Sequence, residues 1–159
     1  MVLSFEILPD NLLGKAQFGI SVSLSGETLV VGAPYDSNAG SISVYTRSDV
    51  GAWLPTKLRP PDIAAGDAFG SRVVVSGCTI VASSPQDDTD TSGSGTVRTF
   101  VWDGNSSWDH VQIVRPTTTT LEGGVFGECF AFEGDVMIVT DYGAGVLYTF
   151  GRIGGVVSP

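Results

Sequence analysis

Charged residues are scarce in this sequence, at 16% of 159 residues, and basic ones are the scarcest. Eight Lys and Arg stand against 17 Asp and Glu, so the net charge of −9 repels a phosphate backbone. This balance argues against a nucleic-acid partner. Long apolar runs are also missing, because Ser, Gly or Thr interrupts them well short of the ~20 residues that a membrane-spanning helix needs. We therefore expect no membrane span.

Cysteine and histidine are nearly absent too. The two cysteines, Cys78 and Cys129, are too few for a disulfide framework, and we interpret each as a small apolar filler. The single histidine, His110, is accompanied by no nucleophile motif such as G-x-S-x-G, and we assign it to a strand. No catalytic residue is predicted, and the chain is expected not to be an enzyme. Its first residues lack the pattern of a secretory signal, so none is expected.

Glycine, by contrast, is abundant, with 21 residues, and it marks an internal repeat. Three segments start with Phe-Gly: FGISVSLSGETLVVGAP, FGSRVVVSGCTIVASSP and FGECFAFEGDVMIVTDY, beginning at residues 18, 69 and 126. In each segment another glycine follows eight residues after the phenylalanine, namely Gly26, Gly77 and Gly134. Glycine at such a place favours a tight hairpin turn, because it adopts positive φ without strain. Each segment is therefore predicted to be a β-hairpin.

The residues before each turn read as strands. In the first segment Ile20, Val22 and Leu24 alternate with serines, which indicates a half-buried strand. In the second, valines fill 73–75 without alternation, as expected for a strand covered on both faces. Third strands follow Gly40, Gly95 and Gly145 (SISVYT, TVRTFVW and VLYTF), and fourth strands begin at Trp53 and Trp108.

Together these elements predict an all-β fold of three four-stranded antiparallel units, with no helix, of the kind that forms propeller blades. One domain over residues 1–159 would contain units at about 10–59, 60–114 and 115–159. Residues 3–8 resemble the end of a fourth strand and are predicted to be a leading one, whereas the third unit is predicted to stop after its third strand. Equivalent buried positions are expected for Phe18, Phe69 and Phe126.

These residues resemble the FG-GAP repeat family, the propeller repeat found in integrin α-chain heads and many extracellular proteins. The motif positions of the first two copies are Phe18, Gly19, Gly32, Ala33, Pro34, Phe69, Gly70 and Pro85. The third copy keeps Phe126 and Gly127 but has Thr140-Asp141-Tyr142 in place of Gly-Ala-Pro. The resemblance implies a noncatalytic structural or protein-interaction module, and it favours an extracellular or cell-surface location.

Calcium binding is the cofactor that the resemblance raises, since integrin-type blades often carry an Asp-rich loop between their first and second strands. The three hairpins here are too short to supply the six to eight oxygens that calcium prefers. The candidate metal ligands are instead Asp87, Asp88 and Asp90, in the loop before the third strand of the second unit. Such loops are usually solvated turns, and that interpretation is preferred.

Sugar binding is the leading alternative function. Trp53 and Trp108 start equivalent strands and could stack on a sugar, together with Tyr35, Tyr45 or Tyr142, although packing explains their repeat-locked spacing more simply. A cell-surface adhesion module acting through acidic loops is a third reading. Asn105 begins a glycosylation sequon, which matters only in the secretory pathway.

Three units raise the question of closure, because closed propellers use roughly four to eight blades. Three arrangements remain open: a tight three-blade ring, a homodimeric six-blade ring, and an arc held by a partner or by more of the same polypeptide. Exposed strand edges invite pairing with a protein partner or a second copy. The sequence therefore predicts a chain that does not act as a free monomer.

Overall fold

The fold consists of three separate antiparallel sheets of four strands each, arranged in chain order. The computed structural model describes the backbone of residues 6–9, 16–89, 94–116, 124–153 and 156–158, and their side chains up to residue 151. Blade 1 contains β1 (Val22–Ser25), β2 (Thr28–Ala33), β3 (Ser41–Arg47) and β4 (Trp53–Leu58). Blade 2 contains β5 (Val73–Ser76), β6 (Thr79–Ser84), β7 (Thr96–Trp102) and β8 (Trp108–Val114). Blade 3 contains β9 (Phe126–Glu133), β10 (Val136–Asp141), β11 (Val146–Ile153) and β12 (Val156–Ser158).

The hairpins form where the glycines predict them. Gly26, Gly77 and Gly134 lie in the turns that join the first two strands of each blade, with φ of 57°, 55° and 58°. The flanking strands pair in simple antiparallel register, for example Ser25 with Thr28 and Ser76 with Thr79. The prediction of three four-stranded antiparallel units is confirmed.

Two predictions about the chain ends require correction. Blade 3 does not stop after its third strand, because β12 pairs antiparallel with β11, Arg152 opposite Val157. Residues 6–8 of the predicted leading strand lie in no strand, and residues 3–5 are outside the described part. The complementarity of unfinished ends therefore no longer supports closure by strand exchange.

Helix is confined, within the described residues, to one 3-10 turn at Asp36–Asn38 in the loop between β2 and β3. Its residues Ser37 and Asn38 have φ of 51° and 65°, so the turn is irregular. This short turn was not predicted. None of the described helical structure has the length or apolar character needed to cross a membrane.

The hydrophobic core lies between the blades rather than inside any one of them. One cluster joins Val30, Ile42 and Val44 of blade 1 to blade 2 residues such as Phe69 and Phe100. A second joins blade 2 to blade 3, with Val81, Val97, Phe126, Met137 and Phe150 among its members. A single antiparallel sheet is too thin to bury its own faces, so the contact between neighbouring blades supplies the stabilising burial. Blade 2 is therefore covered on both faces.

The first repeat departs from its predicted burial. Phe69 and Phe126 are fully buried, as expected, but Phe18 is only half-buried. Along β1 the apolar side chains of Val22 and Leu24 point to solvent, and the serines between them face blade 2. The reason is that the buried phenylalanines rest against a preceding blade, which blade 1 does not have within this structure.

Candidate interaction faces

The Phe-Gly dipeptide of one blade docks onto the blade before it. The backbone N–H of Phe69 donates to the carbonyl of Ala39 at 2.9 Å, and Gly40 and Phe69 form a parallel bridge. A Cβ on Gly40 would overlap the carbonyl oxygen of Phe69. Gly40 is thus a notch that admits the backbone of the next blade, and glycine is required there by close approach as well as by its φ of 100°.

The same notch recurs one blade further along. Phe126 donates its N–H to the carbonyl of Ser94 at 3.1 Å, and a Cβ on Gly95 would overlap the carbonyl oxygen of Phe126. Gly127 is equally confined, with Val97 Cγ2 only 2.9 Å from where its Cβ would lie. The interface between blades 1 and 2 and the interface between blades 2 and 3 therefore use the same backbone contact.

The glycine of the Gly-Ala-Pro motif has a related role. Gly32 has no room for a side chain, because an added Cβ would overlap the carbonyl oxygen of Gly70. Gly19 donates its N–H to the Gly32 carbonyl at 3.0 Å, just as Gly70 donates to Ser83 at 2.9 Å. The two halves of the motif therefore meet within each blade, and Gly32 also touches the next one.

Serine side chains add polar contacts between blades 1 and 2. The hydroxyl oxygens of Ser21, Ser23 and Ser25 accept from the backbone N–H groups of residues 73, 75 and 77, at 3.0, 3.0 and 3.1 Å. Two of these donors lie on β5, the edge strand of blade 2, and the third lies in the turn that follows it. The serines satisfy groups that burial would otherwise leave costly. In β1 the serines therefore face the neighbouring blade and the apolar side chains face solvent, which is the reverse of the usual arrangement in a half-buried strand.

The outer surface of blade 1 is here called the head face. It corresponds, by repeat position, to the surface of blade 2 that is buried against blade 1. By repeat position Val22 corresponds to Val73 and Leu24 to Val75. Val22 is 62% exposed and Val73 only 4%. Phe18 is half-buried and no atom lies within 4 Å of a Cβ on Gly19, whereas Gly70 is tightly enclosed. The head face has the residues of a blade interface, and none of the described blades packs against it.

The outer surface of blade 3 is here called the tail face. It corresponds to the surface of blade 2 that is buried against blade 3, and it is exposed. Ile138 and Leu147 correspond by register to Val81 and Val97 of blade 2. Leu147 is 59% exposed while Val97 is completely buried. Gly145 occupies the notch position and keeps a φ of 67°, yet nothing lies within 4 Å of where its Cβ would be. None of the described residues fills this notch.

The turn that presents Gly145 is held by the carboxylate of Asp141, which stands where the family motif has alanine. Asp141 is 1% exposed, and its Oδ1 accepts from the N–H of Ala144 at 3.2 Å. Gly145 in turn donates its N–H to the carbonyl of Tyr142 at 3.3 Å. The degenerate third motif therefore still forms a defined notch.

The acidic loop of blade 2 is organised around a buried ion pair. Asp87 is fully buried, and its Oδ2 accepts from Thr96 at 2.7 Å and from the Arg98 guanidinium at 3.3 Å. Its Oδ1 accepts from the hydroxyl and the N–H of Thr89 at 2.6 and 3.0 Å. Burial alone would raise the pKa of Asp87, but these hydrogen bonds and the charge of Arg98 outweigh it and hold the pKa below its usual value.

Arg98 also pairs with a second carboxylate, that of Asp62, which lies at the surface. Its Nη1 donates to both oxygens of Asp62 at 3.1 and 2.9 Å, and the Arg98 side chain is itself 1% exposed. Nothing in the spacing of these residues, which lie on separate elements, revealed the pair. It ties the loop before β5 to β7, so its role within blade 2 is structural.

Blade 1 has an equivalent carboxylate at Asp36. Its Oδ2 accepts from Ser41 at 2.6 Å and pairs with Lys57, whose side chain is about half exposed. Burial would raise the pKa of Asp36, but the contacts with Lys57 and Ser41 lower it overall. Each of these two carboxylates braces the loop that leads to the notch glycine of its own blade.

The predicted metal ligands are only partly described. Asp87 is occupied by the contacts above, Asp88 is exposed, and Asp90 lies outside the described residues. Among the described residues, no group of three or more His, Cys, Asp or Glu side chains is arranged to hold a metal ion. Calcium at Asp87, Asp88 and Asp90 stays a prediction.

The two predicted sugar platforms differ in accessibility. Trp108 begins β8 but is only 9% exposed, with its ring 5.5 Å from that of Trp102, so little of its face is open to a ligand. Trp53 begins β4, is half-buried, and lines a groove of about 370 Å³ together with Tyr45 and Pro55. Tyr45 is itself buried, whereas Tyr142 is 80% exposed. Of the candidate rings, Trp53 and Tyr45 line this groove together, and neither Trp108 nor Tyr142 is among its lining residues.

The cysteines and the histidine take the following places. Cys78 and Cys129 are both free and exposed, so neither is the apolar filler that was expected. His110 lies in β8 as predicted and packs on Phe100 at 5.3 Å, where burial and the charge of Arg98 lower its pKa. Asn105 is exposed in the loop between β7 and β8, and the tract at 117–120 lies outside the described residues.

Comparison with known families agrees with this geometry. The FG-GAP repeat family profile matches residues 6–46 and 55–100, which is more than half of the chain. The chain belongs to the FG-GAP repeat family. Such repeats are typical of β-propeller-type modules, often in adhesion and integrin-like proteins, and are generally noncatalytic. A comparison with curated proteins found no match.

Proposed function

We propose that this chain is a noncatalytic interaction module, a subunit or segment of a larger propeller assembly that binds protein through its head and tail faces. The observation that carries the proposal is the contrast between Val22 and Leu24, which are exposed, and Val73 and Val75, their buried equivalents in blade 2. The surface formed by the first strand is buried in blades 2 and 3 but exposed in blade 1. The exposed copy on blade 1 is therefore suited to bind a further blade.

The chemistry of the two faces supports a protein partner. Contiguous apolar patches are uncommon on isolated soluble proteins and are typical of interaction sites. The tail face exposes Val136, Ile138 and Leu147 together, on two paired strands. A polar ligand would gain little from such a surface, whereas another sheet would bury it as the interior interfaces are buried.

The noncatalytic part of the proposal rests on the contacts that Asp36, Asp87 and His110 make. Asp36 and Asp87 are engaged with basic residues and hydroxyls that brace loops. The His110 ring packs on that of Phe100 at 5.3 Å within blade 2. These contacts brace loops and strands inside single blades, which is a structural role.

Affinity capture from cells that express the protein tests the proposal. Wild type would be compared with Leu24→Glu in the head face, Leu147→Glu in the tail face, and Val111→Glu as the control. Val111 is also exposed and apolar, but it lies on β8 in the middle blade. A protein, including this chain itself, that is captured by wild type and the control but lost with either face variant supports the proposal. Equal capture by all four would contradict it.

The sugar-binding alternative has its own readout. A glycan array probed with the same wild-type protein would show selective binding if Trp53 served as a platform, and Trp53→Ala would abolish it. Selective binding of that kind would replace the interaction proposal, because it needs neither blade face.

A further inference from the structure

The head and tail faces are complementary to each other, not merely exposed, and this deepens the proposed function, on which it rests. In each interior interface the notch glycine of one blade receives the Phe-Gly backbone of the next. Among the described residues, none occupies the notch at Gly145 on blade 3, and Phe18-Gly19 on blade 1 docks on no blade. Each open face therefore has the partner surface that the other one lacks.

The apolar positions match in the same way. Val73 and Val75 of blade 2 pack in one cluster with Val30 and Ile42 of blade 1. Their repeat equivalents at the open faces are Val22 and Leu24 on the head, and Ile138 and Leu147 on the tail. All four are exposed. Docking the head of one chain on the tail of another would repeat an interface that the molecule already contains twice.

We propose that two copies of the chain associate head to tail through these faces and close a six-blade ring. The three blades that the structure describes fall short of the range of about four to eight in which propellers close, and six such blades fall within it. Because each copy supplies one head and one tail, both junctions are equivalent under a twofold axis, and no face stays open. A second copy is thus the occupant that satisfies both faces at once.

The proposal predicts a specific proximity between two residues of different chains. In the interior interface Ser21 Oγ lies 3.0 Å from the backbone nitrogen of Val73. Ser21 corresponds to Cys129 in blade 3, and Val73 corresponds to Val22 in blade 1. Cys129 of one copy should therefore lie beside Val22 of the next, and Cys129 is exposed in the single chain.

Cross-linking tests this proximity. In a Cys78→Ser background, Val22→Cys treated with a short bis-maleimide should give a covalent product of two chains. Removing the partner thiol with Cys129→Ser should abolish that product. Val111→Cys, at an exposed position of blade 2, is the control and should not cross-link efficiently. Absence of the two-chain product with Val22→Cys, or a ladder of three or more chains, would overturn the ring.

Mixing variants tests the polarity of the interface. Leu24→Glu blocks every head and Leu147→Glu blocks every tail, so each variant alone should have the mass of one chain by sedimentation. Mixed together they regain one intact junction, and a two-chain species should reappear. If the interface were instead head to head, Leu147→Glu would associate normally, which would overturn the proposal.

The outcomes separate this inference from the proposed function. A monomeric wild-type chain without the cross-link refutes the second copy as occupant. The proposed function survives that result if a different protein is still captured in a way that depends on the same faces. It falls as well if no face-dependent partner is captured.

Discussion

The middle blade and the two outer blades share one pattern of residues but differ in what covers them. Blade 2 is buried on both faces, whereas blades 1 and 3 each have one covered and one open face. The open positions hold the same classes of residue as the covered ones, including glycines whose side-chain space is empty. The comparison teaches that the repeat encodes interfaces, and that the outer copies keep interface residues where this structure shows no partner.

Substitution of the notch glycines should give the largest difference in the free energy of unfolding between a covered and an open position. Gly95→Ala places a Cβ on the carbonyl oxygen of Phe126, so it should lower the free energy of unfolding by about 4 kcal/mol or more, if the protein folds. Gly145→Ala meets no atom and carries only the strain of a positive φ, about 1–2 kcal/mol. Denaturant unfolding at low protein concentration measures both.

Gly104→Ala is the matched control for this pair. Gly104 has a φ of 84° and open space around it, and it lies in blade 2 away from both open faces. It should cost as much as Gly145→Ala in unfolding but leave association intact. Equal destabilisation by the variants at 95 and 145 would show that the notch is not a docking site.

The next largest effect is expected at the buried carboxylates. Asp87→Asn leaves the buried Arg98 with a single, surface-exposed partner and should cost about 3 kcal/mol. Asp36→Asn should cost about 1 kcal/mol, since Lys57 is half exposed and can be hydrated. Asp88→Asn, at an exposed neighbour, should change little. Thermal unfolding of the three variants would contradict the account if Asp36 proved more important than Asp87.

Acid should weaken the folded protein through the same two carboxylates. The folded pKa values of Asp87 and Asp36 lie below the usual 3.8, so their contribution is present above pH 3.8 and is lost as pH falls through the lowered values. Asp87→Asn should therefore lower the free energy of unfolding near pH 7 and make less difference near pH 2. Parallel denaturant titrations of wild type and variant at the two values measure this, and a pH-independent difference would speak against it.

Asp67 should change stability with pH in the direction opposite to that of Asp87 and Asp36. Burial, together with the nearby charges of Asp87 and Asp88, raises its pKa despite a hydrogen bond from the N–H of Ala64. Its charged form is thus disfavoured in the folded state, and stability is lost as pH rises from 3.8 through the raised value. Asp67→Asn keeps an acceptor for the N–H of Ala64 and should raise the free energy of unfolding at pH 7. No gain at pH 7 would refute this reading.

Salt should give the smallest effect, and it concerns association. Two chains of net charge −9 repel each other, while the faces that meet are apolar. Raising the ionic strength screens this repulsion and should tighten association severalfold. Sedimentation equilibrium at low and high salt would contradict the account if salt dissociated the complex.

The sequence predicted the blades because Phe69, Gly77 and Gly95 mark places where backbone conformation and close approach permit little else. It did not predict which face of β1 is buried, since period-2 alternation is the same whether serine or valine turns inward. The strand at Val156–Ser158 was missed because three residues are too short for a periodic signal. The pair of Asp87 and Arg98 was missed because its members lie on separate elements, and only the register brings them together.

Hydrogen exchange along β1 tests most directly whether the head face is a true blade interface. β5, with Val73 and Val75 against blade 1, is the internal reference for a covered strand. If the head face is a blade interface, the amides of Val22 and Leu24, which correspond to those of Val73 and Val75, should exchange slowly at high protein concentration and at least about tenfold faster on dilution. The amides of Val73–Ser76 should be slow at both concentrations. Rapid exchange in β1 that does not depend on concentration would contradict the account.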